Sequence, residues 1–143
     1  MNSSIREMVG QQKVFSVVPE TSVYEAATLM AKNRIGALPV MRETKLIGIF
    51  TERDLVSRVV VPHCDPENTS VDQVMTQNPV TITADRTPCD ALNLIAEHGF
   101  RHLPVMDGER LLAVLSLRDI PTKYRFMREK WLEMRQPLLQ PSM

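Results

Sequence analysis

An internal repeat constrains this sequence more than any other feature. The run Leu-Pro-Val-Met at 38–41 recurs 65 residues later at 103–106, and Arg-Asp at 53–54 recurs in the same register at 118–119. The interval is longer than that of common solenoid repeats, and only two copies are present. We therefore expect two similar units related by a pseudo-twofold axis.

Both copies predict the element order strand–helix–strand–strand–helix. Short β-branched runs at 15–18 and 80–83 favour first strands. The two inner strands of each copy are expected at 38–41 and 46–50, and at 103–106 and 111–115. In the second copy Asp107-Gly108 is a hairpin signal between them.

Hydroxyl residues mark the helix starts. Apolar residues at helical spacing follow Thr21-Ser22 and Thr87-Pro88. In the second copy, a proline in the first turn also favours a helix start. Gly99 is a suitable end for the second of these helices. A final helix is expected from Thr51 and, in the second copy, from Ser116.

The repeat also suggests domain boundaries. We expect a first unit at 5–60, a connector at 61–70, a second unit at 71–121 and a helical tail at 122–143. Ile5, Met8 and Val9 resemble Val71, Val74 and Met75, so a short lead-in helix is expected before each unit.

Composition narrows the class of protein. Hydrophobic residues make up 43% of the chain, charged residues 24%, and the formal net charge is zero. A neutral chain lacks the basic surface that non-specific nucleic-acid binding requires. No apolar run is long enough to span a bilayer and no signal peptide is recognisable, which favours the cytoplasm. The two cysteines, Cys64 and Cys89, are expected to be reduced.

The repeated motifs resemble those of the CBS domain family. They are Gly-Ile-Phe-Thr-Glu-Arg-Asp at 48–54, Ala-Val-Leu-Ser-Leu-Arg-Asp at 113–119, the two Leu-Pro-Val strands, and Val-Met-Thr at 74–76. The chain is most similar to bacterial stand-alone proteins with two CBS domains. The resemblance implies an α/β (α+β) pair of β-α-β-β-α units packed through their sheets, with two ligand clefts between them. It also implies a disc-like homodimer.

The strand-to-helix junction suits a nucleotide. Unpaired N–H groups at a helix start favour a phosphate, and Thr51 can cap the helix and offer a hydroxyl. Asp54 can accept hydrogen bonds from a ribose cis-diol, and Arg53 can hold phosphate oxygens. Ser116, Arg118 and Asp119 repeat the pattern. The same residues also form a capping motif, which needs no ligand, and both interpretations can hold together.

Other residues are expected to complete the clefts. Arg101 and His102 stand where the resemblance implies phosphate contacts, whereas the first copy has Gly36-Ala37, so the clefts should differ. An adenine ring needs an apolar slot, for which the candidates are Val17, Val18, Ile35, Ile82, Thr83 and Phe100. Ala113 replaces the glycine found at Gly48, which would compromise the second site if the backbone approaches the ligand there.

No motif supports an enzyme or a metal site. The adjacent His63-Cys64-Asp65 lacks the spacing of a zinc site, and there is no glycine-rich phosphate loop. We expect a regulatory module that senses AMP, ADP, ATP or NAD(H) and signals to an unknown protein partner. The alternative is a ligand-independent dimerisation scaffold.

The tail and the helices suggest assembly. Aromatic, methionine and basic residues recur along the tail, including Tyr124, Met127 and Trp131, as in partner-binding or membrane-surface helices. Packing against a dimer mate is the simpler interpretation. We expect a homodimer in which the helices bearing Met30 and Ile95 meet and the tail crosses the mate.

Overall fold

The first sheet belongs mainly to the first copy of the repeat. The computed structural model describes residues 4–139. Strand β1 (Ala37–Arg42) pairs antiparallel with β2 (Lys45–Thr51), and β2 pairs on its other side with the short β3 (Thr76–Gln77). The third strand of this sheet therefore comes from the chain that leads into the second copy.

The second sheet repeats the hairpin. Strand β5 (His102–Asp107) pairs antiparallel with β6 (Arg110–Ser116) and parallel with β4 (Ile82–Thr83). Both hairpins contain a register shift at the same position of the repeat, after Val40 and after Val105. The mixed α/β fold with two similar units is confirmed.

The predicted first strands are shorter than expected. In the first copy only Val17 forms a bridge, parallel to Val40, and in the second only the two residues of β4 pair. The Val17 carbonyl accepts from Met41 N at 2.8 Å, but the next residue, Val18, already accepts from Thr21 N at 3.0 Å. Because the chain turns at once towards the helix, no further ladder can form.

Helix starts and ends follow the sequence signals. Helix α1 (Ile5–Val9) precedes α2 (Val23–Asn33), and α4 (Pro88–His98) occupies the equivalent place in the second unit. The Ser22 hydroxyl accepts from Glu25 N at 3.1 Å, and Thr87 caps α4 in a reciprocal pair with Asp90. Gly99 ends α4 with φ +76°, a conformation that glycine adopts without strain.

The final helices of the two units differ. Helix α3 (Glu52–Asp54) begins after Thr51 and continues as a π-helix, Leu55–Val60. After Ser116 there is only one 3₁₀ turn, Leu117–Asp119, because the following proline, Pro121, disfavours helical backbone in the residue before it. The expected second helix is therefore interrupted, and a new helix, α5 (Thr122–Leu139), forms the described part of the tail. Residues 140–143 of that tail lie outside the described residues.

The lead-in segments are exchanged between the units. Ile5 of α1 is fully buried in the hydrophobic core of the second unit, whereas Val71, from the chain before the second unit, is buried in the core of the first. Matching backbone bonds hold them: Ile5 N donates to Arg86 O, and Val71 N donates to Thr21 O, both at 2.8 Å. Each unit therefore completes its core with chain from the other side of the connector.

This exchange predicts which half of the molecule a core mutation weakens. Ile5→Ala should lower the free energy of unfolding by about 2–5 kcal/mol, as for other buried aliphatic truncations. Amide exchange should accelerate most in β5 and β6 rather than in the adjacent first sheet. Val71→Ala is the matched variant and should accelerate exchange in β1 and β2. Equal acceleration of both sheets by both variants would contradict the exchange.

Candidate functional site: two clefts between the units

Two cavities open where the units meet, with β6 lying against β1 and β2. The first cleft has a volume of about 660 Å³ and the second about 190 Å³. Ligand pockets in proteins commonly measure about 300–1,000 Å³. The first cleft is thus large enough for a nucleotide, and the second is smaller than this range.

Three segments supply most of the lining of the first cleft, and Gly36, Arg58 and Pro104 also contribute. The first unit supplies the junction between β2 and α3, and the second unit supplies the chain before β4 and the chain between α4 and β5. The predicted site residues that this cleft brings together are Thr51, Arg53, Asp54, Phe100, Arg101 and His102.

The second cleft is built from the equivalent segments with the units interchanged. Ser116, Arg118 and Asp119 come from the end of β6 and the turn after it, while residues 12–15 and 34–37, including Ile35, come from the first unit. His102 lines this cleft as well as the first. Each cleft therefore combines a strand-to-helix junction from one unit with two connecting segments from the other.

Four of the predicted adenine contacts lie outside both linings. Val17 forms a parallel β-bridge with Val40, and the side chain of Ile82 is buried in the second core. Val18 lies on the surface, 53% exposed. Thr83 is exposed within β4. Residues 17–18 and 82–83 of the two extended runs thus face the cores and the surface, and the apolar wall of the first cleft is provided by Ile49, Val80 and Phe100.

A reciprocal capping pair shapes the junction in the first cleft. Asp54 Oδ2 accepts from Thr51 N at 3.0 Å, and Thr51 Oγ1 accepts from Asp54 N at 3.2 Å. Asp54 is only 6% exposed, and its other oxygen lies 3.7 Å from Nε of Arg58. One carboxylate oxygen is therefore engaged by the backbone, and the other is directed towards a cation in the cleft lining.

Arginines approach the first cleft from both units. Arg53 Nη1 donates across the cleft to the carbonyl of Gly99 at 3.2 Å. Arg58 Nη1 donates to the carbonyls of Val74 and Met75, at 3.1 and 2.9 Å. Arg101 lines the same cavity and is exposed. Three arginines face two carboxylates, Glu52 and Asp54, so the lining carries an excess of positive charge, which favours an anionic ligand.

His102 is half-buried at the start of β5. Burial lowers the pKa of its imidazole below the ordinary value of 6.5, and the cations Arg118 and Arg101 lower it further, while Glu52 and Asp119 act in the opposite direction. A neutral imidazole is therefore favoured in the ligand-free protein at neutral pH.

The second cleft contains its own cations. Arg34, which ends α2, has φ +55°, where the equivalent residue of the second unit is Gly99. Gln12 reaches over β6, and its Oε1 accepts from Val114 N at 2.9 Å. Asp119 Oδ2 accepts from Ser116 N at 2.9 Å, which repeats half of the capping arrangement of the first junction.

The difference between Gly48 and Ala113 has a packing cause. A Cβ at Gly48 would overlap the sulfur of Met75 and lie 2.9 Å from its Cε. Ala113 is fully buried in the second core, and Val9 takes the place of Met75 in the lead-in segment that packs there. Neither residue lines a cleft, so the substitution does not by itself compromise the second site.

Some lining residues were not predicted from the sequence. Residues 76–80 line the first cleft, and the equivalent 12–15 line the second, together with Arg34. Glu52 and Arg58 also belong to the first lining. The repeat register could have indicated 12–15 from 77–80. Apart from Thr76, which ends the Val-Met-Thr run at 74–76, neither segment carries a motif of its own.

Residues 4–139 contain neither a cluster of metal-ligating side chains nor a membrane-spanning helix. No cluster of three or more His, Cys, Asp or Glu side chains suited to a metal ion occurs there. None of the helices in that range is long and apolar enough to cross a membrane.

Comparison with known proteins identifies the family. The CBS domain profile matches residues 5–61 and 71–122. The chain is 33% identical over 118 residues to the CBS domain-containing protein YhcV of Bacillus subtilis, covering 82% of this chain and 83% of that protein. With two matched copies on the observed fold, this chain belongs to the CBS domain family.

Solved structures show the same architecture. The CBS domain structure of NE2398 has a TM-score of 0.79 and 32% identity, covering 84% of this chain and 95% of that chain. The CBS-domain containing protein ATU1752 of Agrobacterium tumefaciens has a TM-score of 0.78 and 31% identity, covering 86% and 99%. The chain spans only 20% of the length of the Arabidopsis thaliana relative CBSCBSPB2, to which it is 34% identical over 106 residues.

The two junction carboxylates should differ in their effect on stability. Asp54→Ala removes a buried acceptor and should lower the free energy of unfolding by about 1–3 kcal/mol. Asp119→Ala removes an exposed acceptor and should cost less, about 0.5–1 kcal/mol. Urea denaturation of both variants checks the order. An equal loss in the two variants would show that burial at Asp54 is not the cause.

Proposed function

We propose that this chain is a regulatory module that binds an adenosine nucleotide in the first cleft and transmits the bound state to a protein partner. The observation that carries the proposal is the pairing of a nucleotide-sized cavity with arginines from both units, Arg53 and Arg101. A ligand held by both units would stabilise one arrangement of the pair over others. That difference in affinity is what regulation by a ligand requires.

The charges of the lining favour a phosphate. Arg53 and Arg101 come from opposite sides of the cleft, and Arg101 is exposed. Guanidinium groups bind phosphate oxygens through paired hydrogen bonds, which are stronger than neutral ones. Asp54 is the candidate for the ribose, since its Oδ1 is not used in the capping pair. Ile49, Val80 and Phe100 provide the apolar wall for adenine.

Related structures are consistent with this ligand class. CBSX2, 24% identical and of the same fold with a TM-score of 0.69, is in complex with AMP. A protein of Burkholderia ambifaria, 30% identical, is described as a candidate signal-transduction protein with CBS domains. We extend AMP, ADP, ATP and NAD(H) to this chain as the ligands to test, because all four share the adenosine half.

Nucleotide binding should depend on the cations of the first cleft. A ligand at a hundred times its Kd stabilises the folded state by about 2.7 kcal/mol, which a thermal shift detects. Arg101→Gln should weaken binding about tenfold to a hundredfold, the loss expected for a charge-assisted hydrogen bond. Isothermal calorimetry with AMP, ADP, ATP and NADH measures both the affinity and the stoichiometry.

The matched control is Arg110→Gln, which removes the same charge from an exposed hairpin position. It should bind like the parent. If no nucleotide binds the parent, the result supports the ligand-independent scaffold as the function and contradicts the nucleotide-binding module. If Arg101→Gln and Arg110→Gln weaken binding equally, the first cleft is not the site.

We also propose that the chain forms a homodimer, but through a surface different from the one expected from the sequence. Met30 and Ile95 are buried in the cores of their own units and are not available to a mate. One group of exposed apolar side chains is Val56, Val60 and Val61, on the π-helix and just after it; a second group lies on the tail helix α5. Exposed valines grouped in this way are typical of an interface. A CBS-CP12 protein with the same fold, 28% identical with a TM-score of 0.76, is hexameric, which supports the proposal.

The first turns of the tail helix pack on their own chain. Tyr124 belongs to the second core, Arg125 Nη2 donates to Leu117 O at 2.6 Å, and Arg128 Nε donates to Asn93 Oδ1 at 2.8 Å. Trp131 and Met134, further along the same helix, are exposed. Packing of the tail across a mate therefore remains a proposal for these exposed residues.

Sedimentation tests the dimer. The parent should sediment as a dimer at micromolar concentration, and Val60→Glu should shift it to monomer because a charge cannot be buried unpaired at an apolar contact. A chain cut after Glu129 keeps Tyr124 and Arg128 in place and should dimerise less tightly if the tail crosses the mate. A monomeric parent would contradict the dimer. A cut chain that dimerises like the parent would remove the tail from the interface.

A further inference from the structure

His102 lies where the two clefts meet. It lines both cavities, a property that it shares only with Gly36 among the lining residues of the two clefts. A Cβ at Gly36 would overlap the Glu52 carboxylate and lie 3.3 Å from Cε1 of His102. The absence of a side chain at Gly36 therefore allows Glu52 and the imidazole to approach the same point. His102 is the one titratable group common to both linings.

Charged groups from each cleft act on this imidazole. Glu52 and Arg101 line the first cleft, and Arg118 and Asp119 line the second. Each pair contains one carboxylate, which raises the pKa of His102, and one guanidinium, which lowers it. Burial keeps the pKa below its ordinary value, so the imidazole is neutral at first and can gain a proton when negative charge is added in either cleft.

We propose that His102 couples the two clefts, so that an anion bound in either one favours the imidazolium and thereby attracts an anion to the other. The physiological role of this coupling rests on the proposed anion-binding function. The electrostatic effect of both clefts on His102 is already present in the ligand-free protein. The second cleft, at about 190 Å³, would take an anion of phosphate size.

The coupling requires proton uptake. Binding of an anion that prefers the imidazolium takes up a proton wherever the pH lies above the pKa of free His102. Affinity should then rise as the pH falls, by at most tenfold per pH unit for one proton. By linkage, a change in one cleft that raises the pKa of His102 strengthens anion binding in the other cleft.

The first test uses the ligand-free protein. The Cε1–H resonance of His102, assigned by its loss in His102→Gln, reports the pKa in an NMR titration. Glu52→Gln, in the first cleft, should lower this pKa, and Arg118→Gln, in the second, should raise it. Arg110→Gln, the exposed control, should leave it unchanged. If either cleft variant leaves the pKa unchanged, the proposal is overturned, whatever the nucleotides do.

The second test measures transmission with AMP as the probe. Because Arg118→Gln raises the pKa of His102, it should favour AMP binding in the first cleft only when His102 is present. The effect of Arg118→Gln on the AMP affinity should therefore be about threefold more favourable in the parent than in the His102→Gln protein. This is the size expected for a unit charge several ångströms away in a water-like dielectric. The difference should disappear at a pH low enough to protonate His102 both in the parent and in Arg118→Gln. An equal effect in the two backgrounds would show that the clefts do not communicate through His102. If AMP binds none of the proteins while both pKa shifts appear, the proposed function fails and the coupling of the clefts stands.

Discussion

Each unit buries the lead-in segment of the other copy, and this exchange determines how both cores and both clefts are built. Ile5 and Val71 are both fully buried, and each fills a core built from the other copy of the repeat. A unit of some 50 residues has too little interior to bury its sheet face alone, so exchange and face-to-face packing supply the missing apolar area. The same packing brings each strand-to-helix junction against the other unit. Both clefts are therefore consequences of how the cores are completed.

Divergence between the copies makes the clefts unequal. Arg101 stands where the first copy has Gly36, and Arg34 stands where the second has Gly99. The first substitution adds a cation to the larger cleft. The second places a cation in the smaller cleft at the cost of a left-handed backbone, which is unfavourable for any residue but glycine by about 1 kcal/mol. Equal units would have given two equal sites, whereas this chain has one nucleotide-sized cavity beside a small one.

The sequence predicted the elements better than it predicted the walls of the clefts. The capping hydroxyls of Ser22 and Thr87 and the terminal Gly99 act locally, so their effect is visible in a short window of sequence. Pro121 also acts locally, because it disfavours helical backbone in the residue before it, and it interrupts the helix expected after Ser116. Residues 12–15 and 76–80 line clefts only because the lead-in segments cross to the other unit, and long-range packing of that kind leaves no local signal. The same holds for the burial of Ile82 and the exposure of Val18, which share one strand-like pattern but lie in different environments.

We propose that the larger cleft is a nucleotide site formed by both units. A crystal structure of the protein grown with AMP locates the ligand without relying on any variant. We expect density for one nucleotide in the first cleft, with its phosphate within hydrogen-bond distance of Arg53 or Arg101 and its ribose near Asp54. Crystals grown with saturating AMP in which this cleft holds only water, or in which the nucleotide binds elsewhere, would contradict it.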